Sequence, residues 1–211
     1  RHPSDIEGLK FSKEPIPYFK DLRKNFSSGY FEVPTVVAGT CNTEFEVLTG
    51  MSLEFFGPGE YPYKTILKNN VCESMAFDMK KQGYKAHAVH NYLAGFYGRN
   101  NVYSNLGFDT FTGLEMMSDI TRTANGRWVK DGVLVDCVKD CLDSTDGPDL
   151  LYTVSVQCHG SYDLDIPEGE KVIDVTGEDD PDLSKQINYF VNMEKQEDDF
   201  IKDLTTMLSI S

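Results

Sequence analysis

Helical and strand-like patterns alternate along most of this chain of 211 residues. The apolar spacing predicts helices over 17–26, 41–48, 70–82, 98–106, 131–143 and from 181 to about 208, and strands over 30–38, 84–90, 109–112 and 149–157. Such alternation is typical of a parallel sheet that helices cover on both faces. The sequence therefore predicts an α/β fold, a three-layer α/β/α sandwich with a mostly parallel sheet, in a single domain over 1–211.

Composition and charge exclude several classes of protein. The formal net charge is −14, and acidic residues are concentrated between 163 and 203. Such a surface repels polyanions, so nucleic-acid binding is not expected. No apolar run approaches the length of about 20 residues that a membrane-spanning helix needs. The chain opens at Arg1 without an initiating Met or a signal peptide, so we expect it to be a piece of a longer protein.

The five cysteines do not indicate a disulfide framework or a zinc site. An odd number cannot pair completely within one chain, and no CxxC motif occurs. Cys137 and Cys141 lie on one face of a predicted helix, where buried thiols are the more common outcome. The disulfide state and the redox compartment stay open.

Residues 33–50 (VPTVVAGTCNTEFEVLTG) predict a strand, a tight turn and a helix that Gly50 ends. Thr40 stands at the start of that helix. Its hydroxyl has two interpretations. A threonine there can cap the helix by accepting a backbone N–H, which the local pattern favours. It can also be a nucleophile, because a helix N-terminus suits an anionic group such as phosphate or sulfate.

Other polar side chains follow the ends of later elements. His90 ends a predicted strand, Arg99 begins a short helix and His159 follows a buried strand. Each is by itself more often structural, but their joint placement favours a site at one edge of the sheet. His87 and His90 are three apart on a strand and face opposite ways, which disfavours a metal pair. No phosphate loop, GxGxxG, GxSxG or HExxH motif occurs.

Four segments of the chain resemble a known family. Residues 39–50 (GTCNTEFEVLTG) are similar to the nucleophile segment of lipoteichoic acid synthases and related phosphoglycerol transferases, the sulfatase-like branch of the alkaline phosphatase superfamily. The resemblance continues at 90–107 (HNYLAGFYGRNNVYSNLG), at 152–162 (YTVSVQCHGSY) and in the helix after 188–190. It covers most of the chain and implies an incomplete alkaline-phosphatase-like core.

The resemblance assigns roles by position. Thr40 would be the metal-bound nucleophile that receives glycerol phosphate, and Arg99 would contact the phosphate. Tyr97 stands where family members often have a tryptophan beside the substrate. His159 would lie near the substrate headgroup, and His90 would line the same pocket.

The resemblance also implies one divalent cation, Mn²⁺ or Mg²⁺, which lowers the pKa of the nucleophile and polarises the phosphoryl oxygen. Of the expected metal ligands only Thr40 is present, because an early glutamate and a later Asp-His pair have no counterpart in these residues. We therefore expect this fragment not to bind the metal tightly and to be inactive alone. Unpaired strand edges would favour its self-association.

The function implied is transfer of glycerol phosphate from phosphatidylglycerol to a polyol, glycan or polyglycerol-phosphate acceptor, through a covalent intermediate on Thr40. The full-length protein would be anchored N-terminally in the bacterial cell membrane and act on its extracytoplasmic face. The alternatives are a hydrolase or phosphoethanolamine transferase of the same superfamily, and a non-catalytic binding module in which Thr40 only caps a helix.

Overall fold

The computed structural model describes residues 6–35, 39–162 and 165–209. These residues form two compact units. The sheet unit comprises 29–118 and 136–154, and the terminal unit comprises 1–28, 119–135 and 155–211. The single domain over 1–211 stays a prediction.

The sheet unit is built on a parallel three-stranded sheet. Its strands are β2 (Lys85–His90), β3 (Thr110–Thr112) and β4 (Asp149–Val154), in the order β3-β2-β4. His87 pairs with Thr110 on one side and with Leu151 on the other. β2 is buried along almost its whole length, as expected for a central parallel strand. The α/β class with a parallel sheet is confirmed.

Helices α2 (Thr40–Thr49), α3 (Met75–Lys81) and α4 (Arg99–Asn105) accompany this sheet, and α5 (Val133–Asp143) runs from the terminal unit into the sheet unit. The apolar faces of α2, α3 and α4 and the middle of β2 form one core. Its fully buried members include Phe45, Leu48, Leu67, Ala86, Ala88, Val102 and Leu106. The nucleophile-like helix α2 is therefore fixed by apolar packing along one face.

The terminal unit pairs α1 (Pro17–Asn25) with the long helix α6 (Pro181–Leu208), beside a small antiparallel ribbon of β1 (Lys10–Phe11) and β5 (Val175–Thr176). The buried Asp198 of α6 accepts the backbone N–H groups of Tyr18 and Phe19, 3.2 and 2.8 Å away, at the start of α1. Asp180 caps the start of α6, and its carboxylate accepts backbone N–H groups of the first turn.

Several predicted boundaries are wrong. Residues 30–33 form no strand and are exposed, while 36–38 of the predicted first strand lie outside the described residues. The helix predicted from Asn70 begins only at Met75, because Ser74 accepts the Ala76 N–H and caps it. β4 ends at Val154 rather than at Gln157.

The predicted helices over 17–26, 41–48, 98–106, 131–143 and 181–208 are confirmed within one or two residues at each end. The strands over 84–90 and 109–112 are confirmed to the same precision.

Candidate functional site

Thr40 is the first residue of α2 and is exposed. The residue that caps the helix is Gly39, and no side chain makes the cap hydrogen bond. Within the part of the chain that the structure describes, the Thr40 hydroxyl has no hydrogen-bond partner. The interpretation of Thr40 as a helix cap is therefore wrong, and its hydroxyl points from a helix N-terminus that favours anions.

The turn before Thr40 requires glycine. Gly39 is buried and has φ +86°, in the left-handed region that residues with a side chain rarely adopt. A Cβ there would meet a ring carbon of Tyr61 at 3.4 Å and its hydroxyl oxygen at 3.6 Å. Thr35 donates to the Gly39 carbonyl at 3.2 Å. The backbone before the hydroxyl is thus held by a tight turn against an aromatic ring.

A buried charged cluster lies one helical turn after Thr40. The Glu44 carboxylate accepts the Nε–H of Arg99 at 3.1 Å and also pairs with its Nη2. The hydroxyls of Tyr63 and Tyr103 donate to the same carboxylate at 3.1 and 2.9 Å. Glu44, Arg99, Tyr63 and Tyr103 are each no more than 2% exposed. The cluster ties α2 to α4 and to the loop between α2 and α3.

The cluster raises the pKa values of three of its members, Tyr63, Tyr103 and Arg99. Burial and the charge of Glu44 raise the pKa of Tyr63 and Tyr103 well above the usual range, so both phenols stay protonated donors. Burial opposes the charged form of Arg99, but hydrogen bonding to Glu44 and its charge outweigh that effect, and the pKa of Arg99 is raised. The guanidinium is therefore a permanent cation matched by one carboxylate.

Aromatic rings and a lysine lie close to the Gly39 turn. The rings of Tyr61 and Tyr97 stack with centroids 6.1 Å apart. The Lys64 ammonium lies 4.8 Å from the Tyr61 centroid and 5.4 Å from that of Tyr97, and the Arg99 guanidinium carbon lies 5.2 Å from the Tyr97 centroid. Tyr97 has φ +59°, a conformation uncommon for an aromatic residue and found mostly where the surroundings impose it.

The two predicted histidines have different surroundings. His90, the last residue of β2, is buried and donates from Nδ1 to the Val154 carbonyl at 2.8 Å. His159 belongs to the terminal unit, is exposed, and packs its ring 4.7 Å from that of Trp128. His87, which was disfavoured as a metal ligand, contacts Thr110 and Asp149 instead.

Of the predicted site residues, Thr40, Tyr97, Arg99 and His90 lie in the sheet unit, and His159 lies in the terminal unit. Tyr97 and Arg99 are in contact. Arg99 also belongs, through Glu44, to the cluster that anchors the helix of Thr40. Its predicted contact with a phosphate stays a prediction, because the described conformation pairs Nε and Nη2 with Glu44.

Sequence reasoning missed Glu44, Tyr61 and Lys64. Glu44 had a detectable signal, because it is an acidic residue among the apolar positions of α2 and lies four residues after Thr40. Tyr61 and Lys64 gave none, since they lie in an irregular segment and are placed by tertiary contacts alone.

The residues present do not fit a divalent cation. In the described ranges, no group of three or more His, Cys, Asp and Glu side chains could hold a metal ion. Thr40 offers one hydroxyl oxygen, and the nearby Glu44 is already saturated by Arg99 and two phenols. A divalent cation needs several oxygen or nitrogen ligands, and these side chains supply too few of them.

Comparison with known proteins decides the family. A family model described as Sulfatase matches residues 4–210. The chain belongs to the sulfatase family. A relative in Rhizobium meliloti (strain 1021), named "Putative cyclic beta-1,2-glucan modification protein", is 29% identical over 203 residues, which are 96% of this chain and 30% of that protein.

Solved structures share the fold of this sulfatase-family chain. The lipoteichoic acid synthase LtaP from Listeria monocytogenes has a TM-score of 0.75 at 23% identity, over 95% of this chain and 48% of that one. The Streptococcus pyogenes phosphoglycerol transferase GacH, solved with sn-glycerol-1-phosphate, has a TM-score of 0.73 at 21% identity, over 97% and 55%. The periplasmic domain of EcEptC from Escherichia coli, solved with Zn, has a TM-score of 0.62 at 18% identity, over 94% and 54%.

The resemblance to sulfatase-like phosphoglycerol transferases is thereby confirmed at the level of family and fold. The chain spans about half the length of the first two solved chains and 30% of the curated relative. Among the residues that the structure describes, no helix combines the length and the apolar composition needed to cross a bilayer.

Proposed function

We propose that this chain is the nucleophile-bearing part of a phosphoglycerol transferase, and that Thr40 is the nucleophile. The observation that carries the proposal is the exposed Thr40 hydroxyl at the N-terminus of α2, with no hydrogen-bond partner among the described residues. Developing negative charge on a phosphoryl group at that position is favoured by the helix dipole and its N–H groups.

The proposed reaction has two steps: transfer of glycerol phosphate to Thr40, then transfer from Thr40 to the acceptor. The Thr40 oxygen forms a bond to the phosphorus of phosphatidylglycerol, and the bond from phosphorus to the diacylglycerol oxygen breaks. The Thr40 proton is lost and diacylglycerol leaves with one proton. An acceptor hydroxyl then attacks the phosphothreonine, takes the glycerol phosphate and returns Thr40 to its hydroxyl form.

Two relatives support the class of substrate. GacH is named as a phosphoglycerol transferase and was solved with sn-glycerol-1-phosphate, and LtaP is named as a lipoteichoic acid synthase. The relative named for cyclic β-1,2-glucan modification supports a glycan as the acceptor. We therefore propose a phosphatidylglycerol donor and a glycan, polyol or polyglycerol-phosphate acceptor.

We propose substrate-binding or positioning roles for the remaining predicted site residues. Tyr97 would provide an aromatic surface beside the substrate, supported by its stack with Tyr61. His90 would line the pocket from the end of β2. The role of His159 at the headgroup is an expectation from the resemblance alone. Arg99 would mainly help to position Thr40, because its ion pair with Glu44 joins it to α2, the helix that begins with Thr40.

A divalent cation, Mn²⁺ or Mg²⁺, belongs to this proposal only for the full-length protein. The complex of EcEptC with Zn supports a metal in relatives of this fold. For the present chain we predict no micromolar binding in a calorimetric titration with Mn²⁺. Micromolar binding that Thr40→Ala abolishes would contradict that prediction.

Placement at the extracytoplasmic face of a bacterial membrane is proposed on the same relatives. EcEptC is named as a periplasmic domain, and the donor proposed above is a membrane lipid. The proposal for the donor is tested with the full-length protein and vesicles of phosphatidylglycerol, with phosphatidylethanolamine vesicles as the second arm. Thr40→Ala should abolish release of diacylglycerol, and Thr40→Ser should retain part of it.

Three outcomes would count against this function. Undiminished release by Thr40→Ala would remove Thr40 as the nucleophile. Release from phosphatidylethanolamine alone would favour the phosphoethanolamine transferase. Release of free glycerol phosphate into water, with no acceptor requirement, would favour a hydrolase.

A further inference from the structure

The positive charge of Arg99 is already matched inside the protein. Its Nε and Nη2 pair with the Glu44 carboxylate, and its Nη1 faces the Phe96 carbonyl at 3.5 Å. The side chain is 2% exposed. An anionic phosphate at Thr40 would therefore meet an ion pair of zero net charge rather than an available guanidinium.

Lys64 is a different kind of cation in the same unit. It is exposed, and its ammonium lies over the stacked rings of Tyr61 and Tyr97, 4.8 and 5.4 Å from their centroids. Among the described residues, no carboxylate lies within ion-pair distance of it. The two rings attract the ammonium and fix its position, but they do not neutralise its charge.

The lysine lies close to the start of α2. Tyr61, over which it lies, packs against the Gly39 turn with a ring carbon 3.4 Å from the Cβ position there. The charge of Lys64 also acts on Cys41, the residue that follows Thr40. Burial and Glu44 raise the pKa of the Cys41 thiol to about 12, while Arg99 and Lys64 act in the opposite direction.

We propose that Lys64, held over Tyr61 and Tyr97, binds the anionic phosphate group of the substrate at Thr40. This inference rests on the proposed function of Thr40 and adds a binding residue to the same site. An ammonium without a carboxylate partner gains a full charge interaction when a phosphate arrives, whereas the Arg99–Glu44 pair would have to be broken first.

The overall charge of the protein makes this local cation more important. A net charge of −14 repels anions at long range, so a phosphate must be held by a local positive group once it arrives. The ligand chemistry is a phosphate ester, whether part of a lipid headgroup or free glycerol phosphate.

The inference is tested by binding of sn-glycerol-1-phosphate to the full-length protein and to its Lys64→Gln, Lys64→Arg and Lys68→Gln variants. Lys68 is an exposed lysine four residues further along the same segment and has no ring partner among the described residues, so it controls for the loss of one charge. We expect Lys64→Gln to weaken binding about tenfold or more. Lys64→Arg should bind within about threefold of the unaltered protein and Lys68→Gln should be unchanged.

A second arm separates the two sources of phosphate. The same variants are titrated with phosphatidylglycerol vesicles and with phosphatidylcholine vesicles. A loss for Lys64→Gln on phosphatidylglycerol vesicles alone assigns Lys64 to the lipid headgroup, and a loss on free glycerol phosphate as well assigns it to the shared phosphate ester.

The failure of this inference is distinguishable from failure of the nucleophile. Equal affinity of Lys64→Gln and the unaltered protein for both probes would overturn it, as would equal losses for Lys64→Gln and Lys68→Gln or no detectable binding by the unaltered protein. A further outcome is that the protein binds the probes through Lys64 and yet never forms phosphothreonine at residue 40. That result would support the phosphate-binding role of Lys64 and contradict the proposed transferase.

Discussion

Glu44 and Arg99 form a buried ion pair one helical turn after the exposed hydroxyl of Thr40. The Oε2 of Glu44 accepts from the two phenols of Tyr63 and Tyr103 and its Oε1 from Arg99 Nη2, so each carboxylate oxygen is hydrogen-bonded. The pair joins α2 to α4, and α4 follows the aromatic segment that contains Tyr97. The position of Thr40 therefore depends on a polar cluster in the core as well as on apolar packing.

Glu44→Gln should destabilise the protein strongly. It leaves the guanidinium of Arg99 buried without its counter-charge, and breaking such a pair costs about 3 to 5 kcal/mol. The measurement is the free energy of unfolding in urea. The double variant Glu44→Met with Arg99→Met should be less destabilised than Glu44→Gln, because neither charge is then buried alone.

The control for that prediction is the exposed pair of Lys139 and Asp143 on α5. Asp143→Asn should leave the free energy of unfolding nearly unchanged, since water screens exposed pairs. If Glu44→Gln is no more damaging than Asp143→Asn, the buried pair does not anchor α2.

Gly39→Ala should impair activity beyond its effect on stability. Its φ of +86° costs an L-residue about 1 to 2 kcal/mol, and the added methyl would contact the Tyr61 ring. Gly83→Ala is the matched control, because Gly83 has φ +88° in the same unit with nothing within 4 Å of the new Cβ. Both variants should lose similar stability, and only Gly39→Ala should lose diacylglycerol release. A proportional loss in both would argue against a precise turn before Thr40.

The stability of the terminal unit should fall as pH rises from about 5 to 8. Burial and the charge of Asp131 raise the pKa of Glu197 from 4.5 to about 8. The folded state therefore holds this proton more tightly than the unfolded chain does. The contribution of the protonated Glu197 to stability is full below its unfolded pKa and is lost as pH rises through its folded pKa. Cys158 contacts the same carboxylate.

Glu197→Gln tests this pH dependence, because it keeps the shape without the titrating proton. It should flatten the fall in unfolding free energy between pH 5 and 8 by on the order of 2 kcal/mol. Asp203→Asn on the exposed part of α6 is the control and should leave the slope unchanged. An identical slope in Glu197→Gln would mean that Glu197 ionises at its ordinary pKa.

Local patterns predicted most elements of this fold, because their causes lie within a few residues. Gly50 ends α2 as the sequence predicted, and it does so in the left-handed conformation; Pro181 after Asp180 begins α6 as expected. The start of α3 was misplaced because Asn70 and Ser74 are both good capping residues. Ser74 is the one that caps, and its hydroxyl also donates to the Leu106 carbonyl, a contact that sequence spacing does not reveal.

The site was predicted only in part for the same reason. Thr40 and Arg99 were identified from the segments around them. The partner of Arg99 is 55 residues away in the sequence, and the ring pair of Tyr61 and Tyr97 joins two separate loops. Contacts of that kind are decided by the packing of the whole unit. The sequence therefore predicted a phosphate contact for Arg99 and did not reveal its pairing with Glu44.

The most direct test of Thr40 as the nucleophile is mass spectrometry of the full-length protein after brief incubation with phosphatidylglycerol and no acceptor. We predict that the peptide containing Thr40 gains the mass of glycerol phosphate, that the added group is lost when acceptor is supplied, and that Thr40→Ala gains nothing. A protein that releases diacylglycerol while Thr40 stays unmodified, or that is modified at a residue other than Thr40, would contradict this prediction.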